Sequence, residues 1–220
     1  MTLNEAIIAR HSVRRYLDKP IEKEIAEELQ KTIDECAEKS GLKITLQLDE
    51  PGAFGSGMAT YGKFENCTNY ITFVGKKEDE EKCGYYGEKI VLRAQQLGLN
   101  TCWVALTYNK SKLVCEKESG EKLIIVLAIG YGQTPGHTRP TKPMEDLCKI
   151  KNGDAPEWFK KAMEAVMLAP TAVNQQKFVF YLDGNEVEAK TLLGFYAKID
   201  LGIAKLHFEI GAGDAFFVWK

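Results

Sequence analysis

The chain has 220 residues, 45% hydrophobic and 27% charged, a composition that implies one or two globular domains built on a real core. A net charge of −2 gives no global field for nucleic acid or an anionic membrane, so any anion must be bound locally. The longest strongly apolar run, residues 123–129, is too short to span a bilayer, and Glu5 and Arg10 stand where a signal peptide needs an apolar stretch, so a cytoplasmic protein is expected.

Taken in order, Thr2-Leu3-Asn4-Glu5 reads as a capping box: Thr2 accepts from the first turn and Glu5 reaches back. A short helix should follow, carrying Ala6, Ile7 and Ile8 towards the core. Lys19-Pro20 biases the next segment to extended backbone. Residues 21–40 read as a helix, because Ile25, Leu29, Ile33 and Cys36 recur at spacings of four, four and three and make one apolar stripe. Gly41 is its natural C-cap. Residues 42–48 alternate as a strand. Residues 51–62 carry Gly52, Gly55, Gly57 and Gly62; their spacing fits no phosphate fingerprint, and a surface loop is expected.

A second strand is expected over 69–75, a charged loop and helix start over 76–82, and a helix over 85–98 with Ile90, Leu92, Ala94 and Leu97 as its apolar contacts. Short strands follow at 101–106 and 123–129, the latter closed by Gly130-Tyr131-Gly132. Residues 133–143, with three prolines and two cations, form a loop, and 149–154 a linker. The pattern then restarts. Asp154 can cap a helix in which Pro156 is early and Trp158, Met163, Val166 and Met167 form the apolar face, ending before Pro170. A strand over 178–182 ends in the turn signal Asp183-Gly184, and a helix over 199–211 and a strand over 215–219 complete the chain.

This restart suggests an internal repeat with halves 1–148 and 155–220 within a single domain. Gly87 to Gly98 and Gly202 to Gly213 both span 11 positions, and each pair leads into a short apolar segment. The six cysteines (Cys36, Cys67, Cys83, Cys102, Cys115 and Cys148) contain no C-x-x-C pair, and with His11, His137 and His207 they show no zinc spacing. Reduced, mostly buried thiols are expected.

Two stretches carry candidate chemistry. In Arg10-His11-Ser12-Val13-Arg14 a cation, a hydroxyl and a second cation occupy alternate positions. If extended, a period of two sends all three side chains to one side, where two guanidinium forks and a hydroxyl suit a dianionic phosphate. The competing reading is a solvated basic run. In Ala169-Pro170-Thr171-Ala172-Val173-Asn174-Gln175-Gln176, the amides of Asn174 and Gln176 can match the mixed donor and acceptor edge of a planar heterocycle. They can equally satisfy the free carbonyls of a helix end.

With Leu97-Gly98-Leu99-Asn100-Thr101-Cys102-Trp103, and with Gly130-Tyr131 followed by the Arg139 to Pro143 loop, these stretches resemble the flavin-dependent nitroreductase family and its R-x-S-x-R, A-P-S-x-x-N-x-Q and L-G-L-x-T-C-W motifs. The amide loop normally follows R-x-S-x-R by a few tens of residues. Here it comes after the usual C-terminal motifs, as in a compact branch carrying two abbreviated copies in one chain. The resemblance implies an α+β, nitroreductase-like fold, a central mainly antiparallel sheet flanked by helices, arranged as an internal pseudo-dimer. It implies FMN as cofactor, NAD(P)H as electron donor, and a small electron-poor acceptor such as a nitroaromatic or a quinone, with no nucleic-acid or membrane partner. Arg10 and Ser12 would hold the FMN phosphate, with His11 beside them packing or capping locally rather than acting as a base. Arg139 and Lys142 would complete that site. Arg14 would lie nearer the pyrimidine edge and stabilise the reduced flavin. Pro170, Thr171, Asn174 and Gln176 would contact the isoalloxazine, and Val104 and Ala105 would approach N5. The flavin site would be complete within one chain, so that a monomer suffices. The alternative is a flavin-binding or ligand-binding protein of the same fold with little turnover.

Overall fold

The computed structural model describes residues 1–54 and 63–220. The elements run in the order α1 (Leu3–Ala9), α2 (Lys23–Ser40), β1 (Lys43–Gln47), β2 (Asn69–Gly75), α3 (Glu80–Gln96), β3 (Asn100–Val104), β4 (Lys122–Gly130), α4 (Met144–Leu147), β5 (Cys148–Ile150), α5 (Glu157–Met167), β6 (Phe178–Asp183), β7 (Glu186–Thr191), α6 (Ala197–Ala212) and β8 (Val218–Trp219). Tertiary contacts gather them into two units. The first holds Met1, Ala9–Asp79 and Lys89–Thr138; the second holds Thr2–Ile8, Glu80–Glu88 and Arg139–Lys220.

The first unit is built on an antiparallel sheet of order β1-β2-β4-β3. All seven residues of β2 are buried, the polar Asn69 and Thr72 included. A register shift between Phe73 and Val74 marks an irregularity in its pairing with β4. Helix α2 packs on β1. Leu29, Ile33 and Cys36 are buried on its inner face, and Gly41 ends it with φ 71° and an N–H that donates to the Ala37 carbonyl. That conformation is cheap only without a Cβ. On β3, β4 and the preceding connector, Val13, Tyr16, Cys102, Val104, Val126 and Ala128 form a core cluster with Tyr70 and Phe54. The Gly-rich segment is described only as far as Phe54; Gly55, Gly57 and Gly62 lie outside the described residues.

The second unit has a mixed sheet of order β5-β6-β7-β8, in which β5 runs parallel to β6, β6 antiparallel to β7, and β7 parallel to β8. The expected antiparallel arrangement therefore describes the first sheet, while the second adds two parallel edges of two and three residues. Helices α5 and α6 pack on each other. Phe159, Phe180 and Phe208 are fully buried, and Phe180 stacks on Phe208 with centroids 5.2 Å apart. The backbones of α3 and α6 approach closely at Gly84 and Gly202. A Cβ on Gly84 would lie 2.0 Å from the Ile199 carbonyl oxygen, and one on Gly202 would lie 2.0 Å from that of Glu81. Glycine at both positions is what lets these helices approach. Beside this contact His207 is fully buried, its Nδ1 2.9 Å from the Ala165 oxygen and its Nε2 3.0 Å from Glu88 Oε1.

Several local expectations change. The capping box forms, with Thr2 N–H donating to Glu5 Oε2 at 2.7 Å and Glu5 N–H to Thr2 Oγ1 at 3.2 Å. Ala6 and Ile7 are buried, but Ile8 is 65% exposed. A helix this short has one inner face, and Ile8 falls outside it. Helix α5 starts at Glu157, with Pro156 as its N-cap in extended backbone, and no side chain, Asp154 included, caps it. The expected linker is partly strand: β5 pairs with β6, Lys151 N–H donates to the Leu182 carbonyl, and Asn152 Nδ2 to Asp183 Oδ1. Strands this short have too few residues to show a period. Strand β7 went unread because Val187 is its one buried residue.

Candidate functional site

In the first unit, residues 10–16 leave α1 as an extended connector along the β3 edge of the sheet. Ser12 bridges to Thr101 in parallel, and Val13 N–H donates to the Thr101 carbonyl at 2.9 Å. Val13 and Tyr16 are buried at 3% and 1% exposure, and the Tyr16 hydroxyl donates to the Val13 carbonyl. Burying Val13 turns Ser12 to the opposite side, where it is exposed, with Arg14 half-buried beyond it. Arg10, 5% exposed, starts the run. Burial pushes the Cys102 thiol up, opposed first by the charges of Arg14 and Arg10 and then by a hydrogen bond with Ser12. Ser12 is thus set beside β3, with one arginine two residues before it and one two residues after. His11 lies against Gly136: a Cβ added there would be 2.6 Å from His11 Cβ. Val104, paired with Val126, is buried, and Ala105 follows it half-buried.

In the second unit, residues 169–176 and 139–142 interlock. Arg139 Nη1 donates to Asn174 Oδ1 at 2.6 Å, and its Nη2 donates to the carbonyls of Ala169 and Met167. The Asn174 amide returns a bond to the Pro140 carbonyl at 2.9 Å. Lys142 uses its backbone N–H on Gln176 Oε1 and its Nζ on the Gln176 carbonyl, both at 3.0 Å. Thr141 Oγ1 also bonds Gln176 Oε1, and Gln176 N–H donates to Thr171 Oγ1. Pro170 is buried at the head of the loop. The backbone is unusual: Val173, Asn174 and Gln176 have φ of 46°, 56° and 47°. Asn tolerates this region, but for a β-branched Val it costs on the order of 1–3 kcal/mol.

A buried acid underlies this loop. Asp200, on the first turn of α6 and 3% exposed, accepts from Ala172 N–H at 3.0 Å with Oδ1 and from Gln175 Nε2 at 2.9 Å with Oδ2. Burial raises its carboxyl to about 6, against the Gln175 and Ala172 hydrogen bonds and the Arg139 charge, which pull it down. Sequence reasoning missed Asp200. Its one signal is an acid on the buried face of a helix whose neighbours Ile199, Leu201 and Ile203 are all buried.

Six of the expected site residues, Arg10, His11, Ser12, Arg14, Val104 and Ala105, thus lie in the first unit. The other six, Arg139, Lys142, Pro170, Thr171, Asn174 and Gln176, lie in the second. Arg139 and Lys142 hold the 169–176 loop. The side chains of Asn174 and Gln176 are largely occupied within it, leaving one Nδ2 hydrogen of Asn174 without a partner among the described residues.

A family model described as "Putative TM nitroreductase" matches residues 2–212. Among solved structures, a putative nitroreductase of Thermotoga maritima is 24% identical, with 96% of this chain and 83% of that one covered at a TM-score of 0.68. A putative nitroreductase of Desulfovibrio desulfuricans, in complex with FMN, is 15% identical over 71% of this chain and 99% of that one, at 0.53. A putative NADH dehydrogenase/NAD(P)H nitroreductase of Parabacteroides distasonis is 17% identical over 66% and 95%, at 0.50. No curated protein sequence matches the chain. These likenesses show a nitroreductase-like α+β fold.

Proposed function

The chain belongs to the TM nitroreductase family, whose model spans residues 2–212, and on that premise we propose that it is an FMN-dependent oxidoreductase that takes a hydride from NAD(P)H and reduces a small electron-poor acceptor, such as a nitroaromatic or a quinone. The observation that carries this reading is the extended run from Arg10 to Arg14, bridged through Ser12 to Thr101 on β3, with Ser12 and Arg14 on the side opposite the buried Val13. The donor set fits the cofactor. Two guanidinium groups, with a hydroxyl between them in the sequence, match the charge and the acceptor oxygens of a phosphate monoester. Two structural neighbours support the cofactor and the donor: one is described in complex with FMN, the other as an NAD(P)H nitroreductase.

Arg10 and Ser12 would hold the phosphate. Arg14, half-buried and with no carboxylate partner among the described residues, would stabilise negative charge at the pyrimidine edge. The 170–176 loop would meet the ring through its backbone and the remaining Asn174 amide hydrogen, and Val104 and Ala105 would line the approach to it. Bound FMN would supply the redox chemistry itself. The protein's part is to hold the ring and leave it open to donor and acceptor in turn.

An absorbance spectrum of the purified protein, followed by anaerobic addition of NADH or NADPH, tests this. A flavin spectrum that bleaches with either nucleotide is expected. A yellow protein that bleaches with neither would favour a flavin-binding protein without turnover. A colourless protein that cannot be reconstituted with FMN would overturn the reading.

A further inference from the structure

We propose that Asp200 is the positioning residue of the 171–176 loop, holding it, through one carboxylate oxygen on Ala172 and the other on Gln175, in the conformation that meets the flavin ring. The proposal rests on the flavin reading above for the identity of the ligand, and on geometry alone for the role of Asp200.

The two bonds bracket the strained part of the loop. Ala172 N–H reaches Oδ1 at 3.0 Å and Gln175 Nε2 reaches Oδ2 at 2.9 Å; between them lie Val173 and Asn174, both with positive φ. Such a conformation at a β-branched residue persists only when its surroundings impose it. Arg139, Thr141 and Lys142 restrain Asn174 and Gln176 from the other loop. Asp200 restrains the opposite flank. Gln175 adds a second bond, from Nε2 to the Phe195 carbonyl at 2.7 Å, which ties the same turn to the residues just before α6.

The anchor itself is stiff. Asp200 sits in the first turn of a 16-residue helix, where unpaired backbone N–H groups favour a carboxylate. A buried carboxylate is a poor choice for filling space, since an apolar side chain of similar size avoids the desolvation cost. What the acid provides, and an apolar residue does not, is two acceptors aimed at the loop. The carboxyl is raised to about 6 by burial, yet is still ionised near neutral pH, the form that accepts on both oxygens; Arg139 is the charged group that favours that form.

The test is hydrogen exchange on the flavin-free full chain, read over residues 172–176, alongside affinities for FMN and riboflavin. In Asp200→Ala the amides of this loop should exchange about tenfold faster or more, the equivalent of one lost hydrogen bond, while those of β6 and α5 keep their protection. FMN and riboflavin should weaken by the same factor, because the loop meets the ring and not the phosphate. Asp200→Asn should fall between, since it keeps an oxygen for Ala172 but turns a donor towards Gln175. Wild-type exchange in a folded Asp200→Ala protein would overturn the proposal, as would a loss of affinity for FMN alone. If Asp200→Ala does not fold, Asp200→Asn and Gln175→Ala decide: both should loosen the loop, and unchanged exchange in both would refute the assignment. A wild-type chain that binds neither flavin would sink the flavin reading, while the exchange data would still judge Asp200.

Discussion

Arg10 is a cation at 5% exposure, at the head of the extended run that bridges to β3 through Ser12. If it binds the FMN phosphate, Arg10→Ala removes a charge-assisted bond worth about 1.5–3 kcal/mol, or roughly tenfold to a hundredfold in affinity. Riboflavin lacks the phosphate, so its affinity should hardly change; equal weakening of both ligands would misplace the phosphate. Asp200 makes a separate prediction through pH. Its carboxyl rises from 3.8 in the unfolded chain to about 6 in the fold, so between those values the folded state binds the extra proton. Stability from this group is therefore present below about 4 and lost as pH rises through about 6, by up to roughly 3 kcal/mol. Other carboxylates, Asp183 and Glu121 among them, are lowered and slope the opposite way. The comparison is thus the difference between Asp200→Asn and wild type in denaturant melts, which should shift in favour of the variant from pH 4 to pH 7. A flat difference would contradict the assigned burial cost.

At the scale of elements, the contact of α3 with α6 depends on Gly84 and Gly202. The nearest atoms to an added methyl are backbone carbonyls, at 2.0 Å in both cases, and backbone cannot rotate away as a side chain can. Gly84→Ala or Gly202→Ala should each destabilise by at least about 1–3 kcal/mol, visible as a thermal midpoint lowered by several degrees. A variant melting with the wild type would mean that the helices do not approach as described. The same contact buries Glu88 and His207, so a shift there would also strain their hydrogen bond.

For the whole molecule, the R-x-S-x-R stretch occurs once, at Arg10 to Arg14, so each chain supplies one set of phosphate-binding groups. We therefore propose one FMN per chain. Flavin titration combined with light-scattering mass measures the ratio, and two FMN per chain would refute it. If a single flavin relays the electrons, donor and acceptor use the same ring in turn, and steady-state kinetics should be ping-pong with parallel double-reciprocal lines. Intersecting lines would point to a ternary complex instead.

Much of this could be read from residue order, because it depends on interactions a few residues apart. The capping box of α1, the stripe of α2 closed by Gly41, the buried run of β2 and the turn at Gly184 are such local signals. The alternation of Arg10, Ser12 and Arg14 needed only extended backbone, which pairing with Thr101 provides. Other features depend on partners distant in sequence. Strands β5 and β8 exist because β6 and β7 offer them edges, not because of their own pattern. The resemblance implies phosphate contacts for Arg139 and Lys142; that they also hold Asn174 and Gln176 is a matter of folding and has no local signal. Asp200 lies 28 residues from Ala172, and no periodicity joins them. Local hydrogen bonds and side-chain period determined the elements and the motif; tertiary packing alone decided which buried acid would hold the loop, since that choice rests on which donors the fold leaves facing it.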